Sequence, residues 1–335
     1  MESSSQNINT KVHIAFSVHD LSDEYNYINS TAVASAIMHC SCTVVVHILC
    51  DLSLNKDKME YDINKLRYID LCDNFGSEIQ FHDVQVPNVY QTYATTDYLT
   101  VGTYFRLFSA DILSDIDRVI YFDGDIIVNL DLMELWTLDI SPYLIAARPD
   151  PLFQDLASKH PYEIKYEYHK LGFTNKMIKN YFNSGVIIFD LKKIRSEFNL
   201  SKSNDKFIQS NPSALRADQD ALNYVFKGDY YKLDKKYNLF SQEEIDSNEF
   251  IVHYCNYKPW YIVRTEIDYL YWRYASQTRW ATDNPEIFMK KMLSVVNFTE
   301  SGLKNYRKYR FYEKLKIILI VVHDLFNHLF SQFRK

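Results

Sequence analysis

Two aspartates separated by one glycine, Asp123-Gly124-Asp125, close the apolar run Arg118–Phe122. Carboxylate oxygens held on one short turn suit a hard divalent cation such as Mg2+ or Mn2+, and Mn2+ also accepts imidazole. The intervening glycine permits a tight turn or the close approach of a ligand. A solvated turn has the same composition, so the triplet alone leaves both readings open. His253, in His253-Tyr254-Cys255 with Lys258 shortly after, is by itself a satisfied core histidine. Asp218-Gln219-Asp220 has the acidic character of a helix N-terminus, which is compatible with a functional role.

These residues need a scaffold, and the hydrophobic pattern supplies one. Residues 12–18 (VHIAFSV), 43–49 (TVVVHIL) and 78–86 (EIQFHDVQV) have the β-branched or alternating character of strands. Between them, residues 26–39 place Ile28, Ala32, Val33, Ala36 and Ile37 at helical spacing, and residues 55–72 form a polar, periodic stretch. Strand, helix, strand, helix, strand predicts βαβ units and a mainly parallel sheet. A helix around Tyr104–Leu113, strands at 118–122, 143–147, 185–189 and 250–254, and a helix at Asp218–Phe226 continue the pattern. Residues 150–180 are polar and aromatic and read as a long excursion. In open α/β sheets, ligands bind outside the carboxyl ends of strands, and Asp123 follows such an end.

The chain has 335 residues, enough for one large domain with a modest appendage. A net charge of −6 argues against general nucleic-acid binding, which wants a basic surface. The five cysteines (Cys40, Cys42, Cys50, Cys72 and Cys255) are odd in number and form no C-x-x-C pair, which predicts free thiols in a reducing compartment. The polar start MESSSQNINTK lacks the apolar core of a signal peptide. No apolar run approaches the ~20 residues of a spanning helix. The expected location is therefore cytoplasmic.

Five segments, in order, carry more than any of these features alone: TYFRL at 103–107, RVIYFDGDIIV at 118–128, YFNSGVIIFDLKKIR at 181–195, DQDALN at 218–223 and HYCNYKPW at 253–260. Together they resemble glycosyltransferase family 8, in particular its bacterial lipooligosaccharide galactosyl- and glucosyltransferases, from about residue 12 to 260. The resemblance implies an α/β GT-A nucleotide-diphospho-sugar transferase fold, a UDP-hexose donor, Mn2+ (with Mg2+ as the alternative) and retention of anomeric configuration. It implies metal ligation by Asp123, Asp125 and His253, and a diphosphate contact from Lys258. Arg106, Asn183, Ser184 and Asp218 would face the donor sugar, beside Gly124. Gln219 would lie on the face where a double-displacement nucleophile is expected, and Asp150 would stand on the acceptor side. An amide is a poor nucleophile, which favours attack by the acceptor on the face from which UDP leaves. Tyr25 would stack on the base and Asp20 would contact base or ribose. Here the sequence departs from the family, with Glu24 where asparagine is usual and an apparent insertion from His19 to Tyr25.

Residues 10–265 are expected to form the catalytic domain and 266–335 a C-terminal helical region. In the tail, Leu315, Ile318, Leu319, Val322, Leu325, Phe326, Leu329, Phe330 and Phe333 share one helical face. Residues 304–335 hold eight basic residues against Glu313 and Asp324, a net +6 that leaves −12 on the rest of the chain. Such a helix can lie on an anionic membrane surface or pack on the main domain or in a dimer. The leading expectation is thus a hexosyltransferase acting on a lipid- or protein-linked glycan acceptor (lipopolysaccharide, capsule or glycoprotein), peripheral on the inner face of the cell membrane. A glycogenin-like self-glucosylating protein and a non-catalytic nucleotide- or membrane-binding module are the alternatives.

Overall fold

The computed structural model describes residues 10–22, 25–54, 57–87, 90, 100–212, 214, 216–255, 257–295, 318–319 and 321–329. Strands β1 (Lys11–Val18), β2 (Thr43–Cys50), β3 (Glu78–Asp83) and β4 (Arg118–Phe122) lie parallel, in the order β3-β2-β1-β4. Every residue of β2 after Thr43 is buried, as a strand covered on both faces requires. On one face, Ile14, Phe16, Val46 and Ile48 share a core with Ala32 and Val33 of α1 (Asn26–Met38) and Tyr68 and Leu71 of α2 (Lys58–Asn74). On the other, Ala15, Leu49 and Tyr121 share a core with Phe105 and Leu107. The helix expected over Tyr104–Leu113 is a 3-10 segment, Val101–Phe108, that runs into one α-turn at Ser109–Ile112.

The sheet is mainly parallel, with one reversal. Strand β7 (Phe182–Asp190) runs antiparallel between β4 and β6 (Ile145–Pro149), and β8 (Tyr231–Lys232) pairs parallel with β6. A bulge between Ala147 and Arg148 shifts the β6–β7 register so that Arg148 faces Asn183; such irregularities re-aim side chains near sites. A second, small sheet was legible only in part: its central strand was expected at 250–254, but the four-residue and two-residue strands beside it are too short to show a pattern. It consists of β5 (Ile126–Asn129), β10 (Phe250–His253) and β9 (Leu239–Phe240), in the order β5-β10-β9.

Residues 150–180 are no loose excursion. They form α3 (Pro151–Lys159), α4 (Pro161–Lys170) and a helical turn at Asn175–Lys179. Asp150 caps α3 by accepting the Phe153 N–H at 2.9 Å, with Pro151 at the first position, a standard start signal. The period was hidden because α3 and α4 bury only Phe153 and Tyr168 fully. Helices of only nine and ten residues leave few turns in which a period can show. Helices α5 (Leu200–Ser210) and α6 (Ala217–Phe226) follow.

Beyond β10 the chain adds α7 (Glu266–Ala275) and α8 (Pro285–Val295). Tyr271 and Trp272 of α7 and Met292 of α8 share a core with Ile28, Ile127 and Val252. The described tail residues 318–319 and 321–329 are helical. Ile318 and Val321 join that same core, Leu325 is buried, and Asp324 lies 3.4 Å from Arg273 Nε. Leu319 and Phe326 remain exposed. The predicted apolar face is therefore split, part packed on the domain and part facing outward. The basic stretch at 304–316, Phe330, Phe333 and Glu24 lie outside the described residues. Among the described residues no helix is long and apolar enough to cross a membrane.

Candidate active site

One cavity of about 890 Å3 opens beyond the carboxyl ends of β1 and β4. Asp20, Tyr25, Arg106, Asp123, Gly124, Asp125, Asp150, Asn183, Ser184, Asp218, Gln219 and Lys258 all line it. His253 is buried behind them. The topology explains the convergence. Asp123 leaves the end of β4 and donates its N–H to Gly185 O of β7 at 2.8 Å. Asp150 leaves the end of β6, Asn183 and Ser184 open β7, and Asp218 and Gln219 open α6. The antiparallel register of β5 and β10 sets His253 opposite Ile126, so a residue distant in sequence meets Asp125.

Asp123, Asp125 and His253 each offer a ligand atom, all within 4.8 Å of one another. His253 Nε2 is 3.2 Å from Asp125 Oδ1 and 3.8 Å from Asp123 Oδ2. Two glycines make room. A Cβ on Gly185 would fall 2.1 Å from His253 Cε1, and one on Gly124 would fall 1.8 Å from Asn29 Oδ1. Gly124 thus serves the close approach of helix α1, in addition to facing the cavity.

The charges are densely coupled. Burial would raise the Asp125 carboxyl, but Lys258 and His253 hold it well below the ordinary range. Lys258 Nζ pairs with Asp125 and donates to Tyr254 O at 2.6 Å. Burial alone would discharge His253, yet Cys255 and Asp125 raise its pKa well above the ordinary value. Arg106 is buried with Nη2 at 2.7 Å from Asp123 Oδ1 and Nε at 2.9 Å from Asp218 Oδ2. Its Nε–H is donated to Thr103 O, so the Asp218 contact is ionic and Oδ2 accepts no hydrogen bond. Burial pushes Asp218 up to about 7, opposed by Arg106 and reinforced by Asp123. Tyr121 supports Arg106 from below, its ring 4.6 Å from the guanidinium carbon.

Gln219 has both ends engaged. Its Oε1 accepts from Ser184 N at 3.0 Å, Ser184 Oγ at 3.2 Å and Asn183 Nδ2 at 3.3 Å, and its Nε2 donates to Asp150 Oδ2 at 3.0 Å. Tyr25, also on the cavity wall, is 46% exposed, and its hydroxyl lies 3.5 Å from Tyr261 Oη. Asp20 Oδ1 is tied to Ser22 N and Oγ, each at 2.7 Å. Sequence reasoning missed Asn238, Arg216, Cys255 and the Tyr257-Trp260-Tyr261 wall. Arg216, Cys255 and the three aromatic residues line the cavity. Buried Asn238 joins His253 to Asn183. Its only local signal is an asparagine that leads into the apolar pair Leu239-Phe240.

A mainly parallel α/β scaffold with a metal-competent carboxylate–histidine cluster at its strand ends is what these features define. The model of glycosyl transferase family 8 matches residues 16–262, and the chain belongs to this family of enzymes. General stress protein A of Bacillus subtilis is 31% identical over 250 residues, which cover 67% of this chain and 82% of that protein. A lipopolysaccharide 1,2-glucosyltransferase of Escherichia coli is 25% identical over 202 residues, 54% of this chain and 56% of that enzyme, so the chain spans little more than half of that relative's length. Among solved structures, the galactosyltransferase LgtC in complex with donor and acceptor sugar analogues aligns with a TM-score of 0.60 at 22% identity, over 87% of this chain and 98% of that one. That likeness agrees with the GT-A fold.

Proposed function

We propose that this chain is a retaining hexosyltransferase that moves galactose or glucose from a UDP-sugar to a cell-surface glycan. The observation that carries the reading is the meeting, in one cavity, of the Asp123–Asp125–His253 cluster, Lys258 and the sugar-facing set Arg106, Asn183, Ser184 and Asp218. Two carboxylates and one imidazole nitrogen fit Mn2+, with Mg2+ as the alternative. Such an ion, when bound, neutralises the diphosphate as it departs.

The side chains account for the rest. Lys258 brings a point charge to the same leaving group. Tyr25 offers a ring to the uracil, and Asp20 a carboxylate to the base or ribose. Arg106 holds Asp123 and Asp218 in fixed relation, so the donor hexose meets a rigid wall. The Gln219 oxygen is occupied by three donors, which favours same-face attack by the acceptor over a covalent intermediate on this residue. Asp150, at the head of α3, faces the acceptor side, and Ser184 bears on donor choice. In this reading residues 10–265 carry the catalysis. Residues 266–335 buttress them and, through Leu319, Phe326 and the basic stretch at 304–316, touch the inner face of the cell membrane near a lipid- or protein-linked acceptor.

The test is a panel of UDP-sugars with and without Mn2+, following UDP release, with Asp125→Ala as control. Release from one donor that needs metal and is lost in the variant, by about 1000-fold or more, is the expected result. No release from any donor, together with no UDP binding by calorimetry, would overturn the reading.

A further inference from the structure

His253 has two ring nitrogens, and only one faces the carboxylates. Which nitrogen carries a hydrogen depends on the partner of the other. A line of amides answers this, and its direction can be traced from fixed donors and acceptors.

Asp150 is a carboxylate that can only accept. It therefore takes a hydrogen from Gln219 Nε2 at 3.0 Å, which turns Gln219 Oε1 the other way. There Oε1 receives the backbone N–H of Ser184 at 3.0 Å, a donor that cannot reverse. Asn183 must then present its Nδ2 to Gln219 Oε1, at 3.3 Å. Its Oδ1 receives a second irreversible donor, the backbone N–H of Gly185, at 2.9 Å. Asn238 is left to donate from its Nδ2 to Asn183 Oδ1 at 2.9 Å and to accept with its Oδ1 from His253 Nδ1 at 3.0 Å. The carboxylate and the two backbone groups agree on one direction.

We infer that Asn238 is the positioning residue of the metal cluster: it holds the hydrogen of His253 on Nδ1, so that Nε2, facing Asp123 and Asp125, is the nitrogen offered to a cation. Asn238 is itself held, since Arg148 Nη1 donates to its backbone carbonyl oxygen at 2.7 Å and pairs with Glu243 at 2.6 Å. The inference rests on the reading of Asp123, Asp125 and His253 as a metal site. Partners of this kind orient a ligating histidine and raise its basicity, and their loss typically weakens metal binding about 10–100-fold.

The test uses Mn2+ binding by calorimetry on the full chain and nitrogen NMR of 15N-histidine-labelled protein, with the His253 signal assigned by His253→Gln. Spectra are taken with Mg2+ and, without metal, at a pH that discharges the ring. The wild type should show hydrogen on Nδ1. Asn238→Leu, similar in size but without either polar atom, should raise the Mn2+ Kd about 10–100-fold and mix the two ring forms. Asn238→Asp, which still accepts from Nδ1, should keep the wild-type ring form and a Kd within a few-fold of wild type. It also guards against a Leu variant that simply fails to fold. A wild-type His253 with hydrogen on Nε2, or an Asn238→Leu protein with unchanged Kd and ring form, overturns the inference. A wild type that binds no Mn2+ instead fails the metal reading, while the ring form still decides the role of Asn238.

Discussion

His253 and His47 are both buried histidines on β-strands, at 4% and 0% exposure, yet they titrate in opposite directions. His47 lies mid-strand in β2, its Nε2 2.9 Å from His13 Nδ1 and its Nδ1 3.0 Å from His82 Nε2. The three rings cross β1, β2 and β3, where burial, with help from His82 and His13, pulls His47 down to about 3. A neutral imidazole has one donor and one acceptor, so the line satisfies His47, and none of its members faces the active-site cavity. His253 lies at a strand end and meets carboxylates at the cavity wall, where Cys255 and Asp125 overcome the effect of burial. Burial discharges a histidine. Only converging charge reverses that, and converging charge that is costly for the fold marks the site.

Breaking the charged region should have the larger effect. Arg106→Met leaves Asp123 and Asp218 without the guanidinium that lies 2.7 Å and 2.9 Å from them. Removing one partner of a buried ion pair costs about 3–5 kcal/mol, to be read by urea denaturation at neutral pH. A loss below about 1 kcal/mol would mean that the cluster is better solvated than its burial implies, and the contrast with the histidine line would weaken.

The histidine line sharpens the comparison through pH. The His47 pKa is about 3 in the folded chain and about 6.5 when unfolded, so between those values the unfolded state binds the extra proton. Stability from this neutral group is full above about pH 6.5 and declines as pH falls toward 3, with a slope of up to about 1.4 kcal/mol per pH unit. His47→Gln should flatten the wild-type profile in that window when the two are compared by denaturant titration. Parallel profiles would show that the line holds a proton after all. The smallest effect is expected in the tail. Ser at the exposed Leu319 and Phe326 should change stability by under about 0.5 kcal/mol but reduce sedimentation with anionic vesicles if this face meets a membrane. Unchanged sedimentation would return the tail to a purely packing role.

Much of the scaffold was legible because long apolar runs have a period. The parallel strands, α1, α2 and α6 were read close to their observed bounds. The helices at 150–180 were not, since short helices that each bury few residues carry little signal, and neither were β5 and β9, which are too short to show one. The Asp123-Gly124-Asp125 turn was visible as chemistry, and His253 became visible beside it through the resemblance of five ordered motifs. Asn238 was not, because an asparagine in a short apolar setting looks the same whether it caps, turns or holds a ligand.

By itself, then, the sequence determined the kind of scaffold, the residue types of the cluster and the strand end that bears them, since local pattern and spacing follow from the geometry of a single element. The tertiary structure alone decided that β5 and β10 pair to set His253 against Asp125, that Arg106 spans Asp123 and Asp218, and that Asn238 reaches His253 from fifteen residues away. Each of these depends on strand register and packing between elements far apart in the chain, which no local pattern of residues encodes.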